Sequence, residues 1–490
     1  MTDADFLAWL KDPSALRVVL IEARAQVAGV ETTFYMSTKG GYTTGAAEVP
    51  ANEIYHAIAS VGVLYTEQIS LTGSASLSAG DIEVENYNGA RDNWTGYVWT
   101  NRQLQAWIGD PRWPRADFRM IFNGIIADIA PRGRNALSLK LRDKLQRLNT
   151  PATDAKLGGT TPNKDAILPL AFGECHNVTP LLVDPATLAY QVHAGPVEGI
   201  FEVRDNGVPV PATTNNAAGT FTLAAQPFGT VTVSVQGDKP SVYSNTAAKL
   251  VERLVTGYGK AADRFTAGDL DSANLAAFDA ANPQPMGIPL PDRTNVLTAC
   301  QALAGSVGAQ LSMTRLGKLR LIRLALPAVG TPTEVHPKHM VERTLAPVER
   351  TEVVGAVRLS FNKNWTVQDN LVTGIPEGHK DLYATEWLTS TKTDAAVQAT
   401  YKLAGDPVQQ DTMLLRRTDA DAEAQRRLDM WKVPRTVYEF EGVPELLTLE
   451  LGQAIKVFHP RFGMAAGVTG MVISLAPDWL NGHVKVGFIV

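Results

Sequence analysis

Gly124-Ile-Ile-Ala-Asp-Ile-Ala-Pro-Arg-Gly-Arg-Asn135 is answered near the end of the chain by Gly470-Met-Val-Ile-Ser-Leu-Ala-Pro-Asp-Trp-Leu-Asn481. Gly124, Ala130, Pro131 and Asn135 fall without a gap on Gly470, Ala476, Pro477 and Asn481. The pairs Ile125/Met471, Ile126/Val472 and Ile129/Leu475 match in character. Upstream, Pro111-Arg112-Trp113 answers Pro460-Arg461-Phe462, and residues 80–84 (Gly-Asp-Ile-Glu-Val) answer 355–359 (Gly-Ala-Val-Arg-Leu). Three pairs in one order predict a β-rich unit present twice. After Asn135 the apolar phase resumes at Leu137, but after Asn481 it resumes at Val484, so the copies should share a core and differ in loop length.

The surrounding composition is that of a globular protein. Of 490 residues 45% are apolar and 19% charged, and a chain of this length is expected to divide into three or four cores. The formal charge of −5 and a pI near 6.0 give no basic footprint for sequence-specific nucleic-acid binding. Cys175 and Cys300 are too few for a disulfide framework. The N-terminus lacks a basic n-region and an apolar h-region, and no run approaches the roughly 20 apolar residues of a membrane helix. A soluble chain made in the cytoplasm is the expectation.

Residues 3–11 read as a short helix and 16–23 as a buried strand. From 67 to 142, strand follows strand: Ile82 and Val84 alternate with charged neighbours, as do Leu137, Leu139 and Leu141. A turn about every ten residues suits a closed barrel, with one helical turn at 143–148 ending it. Residues 150–166 read as a linker. Asn206-Gly207 marks a two-residue hairpin, and 220–235 holds two further strands about Pro227-Phe228-Gly229. Asn245 and Asp292 start helices to Thr256 and Ala304, and a hairpin turns at Leu316-Gly317. Thr418 caps a charged helix over 419–432, read as a solvated face, before strands resume at 436. The expected fold is mainly β and multi-domain, with an α+β insert. It comprises a first barrel at 1–150, a β-rich middle domain at 167–239, a small helix–hairpin domain at 240–330, and a second barrel at 343–490 carrying an insertion at 371–433.

The chain offers no recognisable catalytic constellation: no Walker loop, no Gly-x-Gly-x-x-Gly, no His-Glu-x-x-His and no Gly-x-Ser-x-Gly. His336-Pro-Lys-His339 has a spacing two metal ligands could use, but Pro337 disfavours a helix and no third ligand is evident, so a loop pair is expected. Cys175 and His176 alternate along a strand, which favours a buried thiol over a Cys–His nucleophile. Asp269 and Asp271 read as a helix start. Trp94, Trp99, Trp107 and Trp113 crowd the first unit, where barrel packing is the simpler use and a carbohydrate platform the alternative. No catalytic, cofactor or metal residue is assigned, and partner-binding residues are left open.

One likeness runs through these segments. Residues 80–94 with 107–118 and 122–124, residues 172–184 with 190–193, Gly317-Lys-Leu-Arg-Leu321, and 452–458 with 467–471 together resemble tail proteins of long-tailed bacteriophages. The resemblance spans most of the chain and implies a baseplate hub. In such hubs two related barrels per chain, assembled as a homotrimer, present six barrels to a hexameric tail-tube end. The other domains bind the central fibre or spike, and DNA leaves through the ring. Implied partners are the tail tube or distal tail ring, the central fibre or spike and the tape measure protein. The implied location is the virion tail tip, after assembly in the host cytoplasm. A carbohydrate-binding or carbohydrate-degrading tail component and a distal tail ring protein are the alternatives.

Overall fold

The computed structural model describes residues 1–60, 64–71, 76–369, 371, 374–375, 378–403 and 405–490. They form two compact units, each drawn from separate stretches of chain. One takes 1–146, 312–351 and 435–490, and the other 147–311 and 352–434.

The first unit contains two barrels. In the first, strands Gln103–Gly109, Arg119–Pro131 and Ala136–Arg142 form a meander, and Ile82–Glu85 pairs with the last of them. Val18–Val27 lies on the other side of Gln103–Gly109 and Val30–Ser37 beyond it. The sheet then closes on itself. Residues following strand Ile54–Ala57 reach Ile82–Glu85, where Ser60 N–H donates to Glu83 O at 2.9 Å and Glu85 N–H to Ile58 O at 2.8 Å.

The second barrel repeats the same four strands in the same chain order. Thr436–Gly442 stands for Ile82–Glu85, followed by Ala454–Val457, Val468–Asp478 and His483–Ile489. Leu137 pairs with Pro131 and Val84, as Val484 pairs with Pro477 and Gly442. Leu104 faces Gly124 as Ile455 faces Gly470. Residues 333–350 shut this barrel: Thr333–Val335 runs parallel to Ala454–Val457, Met340 bridges Gly442, and Ala346–Arg350 lines Thr436–Gly442.

The register also breaks at one place in both copies. Lys140 pairs with Asp128 and Leu141 with Ile126, leaving Ala127 bulged out; Gly487 pairs with Ser474 and Phe488 with Val472, leaving Ile473 bulged out. A bulge bends and twists its strand, which a closing sheet requires. Pro111–Trp113 and Pro460–Phe462, the second matched pair of motifs, both lie in the loop entering the bulged strand. The third pair does not hold. Residues 355–359 belong to strand Ala356–Phe361 of the other unit, and the counterpart of 80–84 is Thr436–Gly442.

One hairpin ties the barrels together. Tyr65–Gln68 and Ser76–Ala79 leave the first-barrel chain, and Glu67 and Gln68 pair with Leu475 and Ser474 of the second-barrel strand.

The second unit holds a sandwich of two sheets. Leu170–Val178, Val197–Asp205, Val208–Pro209, Val231–Asp238 and Gly287–Leu290 make one sheet; Leu181–Asp184, Ala189–Gln191, Ala212–Asn215 and Thr220–Leu223 make the other. Cys175, Val203, Val233 and Val235 meet Tyr190, Phe221 and Leu223 in its core. Asn206 and Gly207 both have positive φ (45° and 83°), the geometry a tight hairpin of this type demands. Helix Ala247–Gly257 buries Ala247, Leu250, Val251 and Leu254 as expected, but Thr246 rather than Asn245 precedes it. Helix Val296–Ser306 begins after Asn295, because Asp292 is engaged in a turn with Thr294.

The expected boundaries shift where long-range packing decides them. The 240–330 segment divides at Ser312, its helices lying in the second unit and the Leu316-Gly317 turn in the first. Residues 352–369, expected in the second barrel, join the second unit. Val357 and Leu359 pack on Ala424 and Leu428 of helix Arg417–Trp431, and Ala356–Phe361 pairs with Leu388–Thr393. That helix is therefore no freely solvated face. Arg416 precedes it in place of Thr418, and Glu423 is buried between Arg426 and Arg427 at 2.7 Å from each. Residues 150–166 are tied into the fold as well: Lys156 bridges Ile167 and Asn163 Nδ2 donates to Leu182 O.

Candidate assembly site

The first barrel is built around aromatic rings. Trp99 is 1% exposed, and Trp94 and Trp107 are 9% exposed, so their faces serve the core. Phe34 packs against Trp94, Tyr97 and Trp99, and Trp107 sits with Val18, Leu20, Tyr55 and Phe118. Trp113 is half-buried against Trp9, with centroids 4.6 Å apart.

A charge lies within this apolar ground. Arg115 lies 4.1 Å over the Trp107 ring, donates to Glu22 at 3.0 Å and to the Tyr55 hydroxyl at 3.2 Å, and Tyr55 in turn donates to Glu22 at 2.5 Å. Burial and the Glu22 carboxylate push the Tyr55 phenol well up, keeping it a donor. Glu22 is the one carboxylate in the apolar run 18–23, the signal that could have marked it, whereas nothing along the chain marks the distant Arg115 as its partner.

A second polar cluster stands where the hairpin joins the barrels. Tyr65 OH accepts from Trp479 Nε1 at 3.1 Å, and Glu67, 3% exposed, accepts from Arg315 N–H at 2.6 Å. Arg315 lies over Trp479 and donates to Leu449 O, while Asn123 N–H donates to Arg315 O at 2.7 Å. The 314–317 turn is thus bonded to both barrels. Gly317, at φ +71°, is required there, since a Cβ would come within 2.5 Å of Asn123 O.

Two open grooves mark the barrel surfaces. One of about 520 Å³ is lined by Thr33, Glu53, His56, Arg91 and Trp94. The other, of about 770 Å³ on the second barrel, is lined by Val348, Glu439, Glu441, His483 and Lys485. Mixed charges and shallow apolar ground suit protein contact more than enclosure of a small molecule.

In the second unit, His193 and Asp238 form a pair that superficially suits acid–base chemistry. Every group in it is engaged. His193 Nδ1 accepts from Ala171 N–H, and its Nε2 lies 3.3 Å from Asp238. Arg253 and Tyr258 also donate to Asp238, at 2.5 and 2.7 Å. Burial opposes ionisation, but these hydrogen bonds and the Arg253 charge outweigh it and hold the carboxyl well below its usual range. The group fastens helix Ala247–Gly257 to strand Val231–Asp238.

The remaining sequence candidates fall apart from one another. Cys175 and Cys300 are buried and burial pushes both thiols far up, while His176 turns to Glu174 at 3.0 Å. Asp269 caps a short turn with Thr266, and Asp271 caps helix Ser272–Ala281. His336 and His339 share a 3-10 turn in which His336 N–H donates to His339 Nδ1, and no group of three or more metal-ligating residues occurs among the described residues. No described helix is long and apolar enough to cross a membrane.

No family model and no curated protein matches the chain. Solved structures do. A tail protein from Neisseria meningitidis MC58 is 11% identical with a TM-score of 0.38, covering 97% of this chain and 96% of that one. The 43 kDa tail protein of prophage MuSo2 from Shewanella oneidensis is 9% identical with a TM-score of 0.38, over 97% and 96%. A chain of the native gene transfer agent virion is 14% identical with a TM-score of 0.41, over 71% and 91%.

Proposed function

We propose that this chain is a structural component of a phage-type tail, and within it the baseplate hub that joins the end of the tail tube to the central fibre or spike. The observation that carries the reading is the duplication: two barrels with the same strand order and the same bulge lie in one compact unit. A chain with two equivalent building blocks converts threefold symmetry into six similar contacts, which a hexameric tube end needs. The distal tail ring and tape measure protein are the further neighbours on this reading, DNA passes through the ring, and assembly takes place in the host cytoplasm. The role has no catalytic step.

Native mass spectrometry of the purified chain, alone and with the tube protein, tests the reading. Three copies per assembly and a complex with the tube protein support it. A chain that stays monomeric at high concentration and never joins tube or fibre proteins overturns it, and six copies would instead indicate the distal ring. A carbohydrate-binding or carbohydrate-degrading tail component is the alternative; Trp99 and Trp107 pack in the core, and Trp94 is the one of the three that reaches the groove.

A further inference from the structure

The hairpin of Tyr65–Gln68 and Ser76–Ala79 meets two buried carboxylates at a single rung, where Glu67 pairs with Leu77. Asp143, 8% exposed at the end of first-barrel strand Ala136–Arg142, accepts from Leu145 N–H at 2.7 Å and from the hairpin's Leu77 N–H. Glu67, in the hairpin's first strand, accepts from Arg315 N–H while its neighbour strand in the second barrel is Val468–Asp478. We propose that this hairpin is a proton-sensitive clasp between the two barrels, closed when Asp143 carries a proton and loosened when Asp143 ionises beside Glu67.

The charged and titratable surroundings are these. Arg315 faces Glu67 from the 314–317 turn, Lys144 lies at Gly317 of the same turn, and Arg320 pairs with Glu450 at 2.5 Å from the next strand. Tyr65 stays a neutral phenol, pushed far up by burial. Burial is the main reason Asp143 is pushed up to about 7; the Glu67 charge adds to it, and the Leu145 and Leu77 N–H groups oppose it. Burial also raises Glu67, against the Arg315 charge and N–H.

A carboxyl raised in the closed form binds its proton more tightly there than in the opened, hydrated form, where its pKa is about 4. Opening therefore becomes easier as pH rises from about 4 to about 7, and no further change follows above that.

Hydrogen exchange read by mass spectrometry at pH 5.5 and 8, corrected for intrinsic rates, tests the clasp on the full chain. Peptides covering 65–68 and 76–79 should open about tenfold or more often at pH 8, while peptides of Val18–Val27 stay constant. Asp143→Asn should abolish the difference. Glu67→Gln, should Asp143→Asn fail to fold, should move the midpoint to lower pH. Equal opening at both pH values in the wild type, an undiminished response in Asp143→Asn, or an unmoved midpoint in Glu67→Gln overturns the proposal.

Discussion

Ala127 and Ile473 fill the same bulge in two different barrels. Each is skipped between paired neighbours, Asp128 and Ile126 in one case and Ser474 and Val472 in the other. A bulge at the same place in both copies bends both meanders alike, so the barrels present similar outlines despite little identity between them.

The bulge should be indispensable where the loop after it is not. Deleting Ala127 or Ile473 makes the neighbouring pairs consecutive and removes the bend that lets the sheet close, costing about 1–3 kcal/mol. Inserting one residue between Arg134 and Asn135, both exposed, reproduces the longer loop of the second copy and should cost under about 0.5 kcal/mol. Urea unfolding of the three variants checks this.

Gly124 and Gly470 should be equally intolerant of a methyl group. A Cβ at Gly124 would lie 2.6 Å from the Phe122 ring, and one at Gly470 2.6 Å from Ile489 O. Alanine at either position should destabilise by about 1–3 kcal/mol, read as a lowered urea midpoint.

Arg115→Ala should cost about 3–5 kcal/mol, because Glu22 then stays in the barrel without its cation. The double variant Arg115→Met/Glu22→Gln should recover much of that loss. A single variant no less stable than the wild type in denaturant titrations would contradict the role given to Arg115.

Glu423 supplies acid sensitivity to the second unit. Burial alone would raise it, but Arg426 and Arg427 hold it below its ordinary value. A lowered carboxyl contributes stability that is present above its unfolded pKa of about 4.5 and lost as pH falls through the folded value. Thermal melts between pH 7 and 3 should show this loss in the wild type. Glu423→Gln should be less stable at pH 7 and fall less steeply.

Much of the fold was legible because its signals are local. The alternation at Leu137, Leu139 and Leu141 and the Asn206-Gly207 turn each depend on a few adjacent residues, and each appears where expected. The matched loops at 111–113 and 460–462 were readable for the same reason. Helix Arg417–Trp431 was misread because its charges suggest a solvated face, while Ala420, Ala424 and Leu428 make a narrow stripe that sequence composition conceals. Arg115 and Glu22 could not be joined in advance, since nothing along the chain records which distant strand will carry the partner of a buried charge.

By itself the sequence determined that this is a mainly β protein holding one unit twice, because apolar periodicity and turn residues set strand and loop wherever the chain lies. Only the tertiary structure decided which strands complete each barrel. Residues 355–359 and 436–442 both read as strands, but strand edges bond through backbone groups that every residue shares. The choice fell to packing, with Val357 and Leu359 finding Ala424 and Leu428, and Val437 and Phe440 left to line the second barrel. The same non-locality placed Glu67 beside Leu475, so the contact between the repeats emerged only when both were folded.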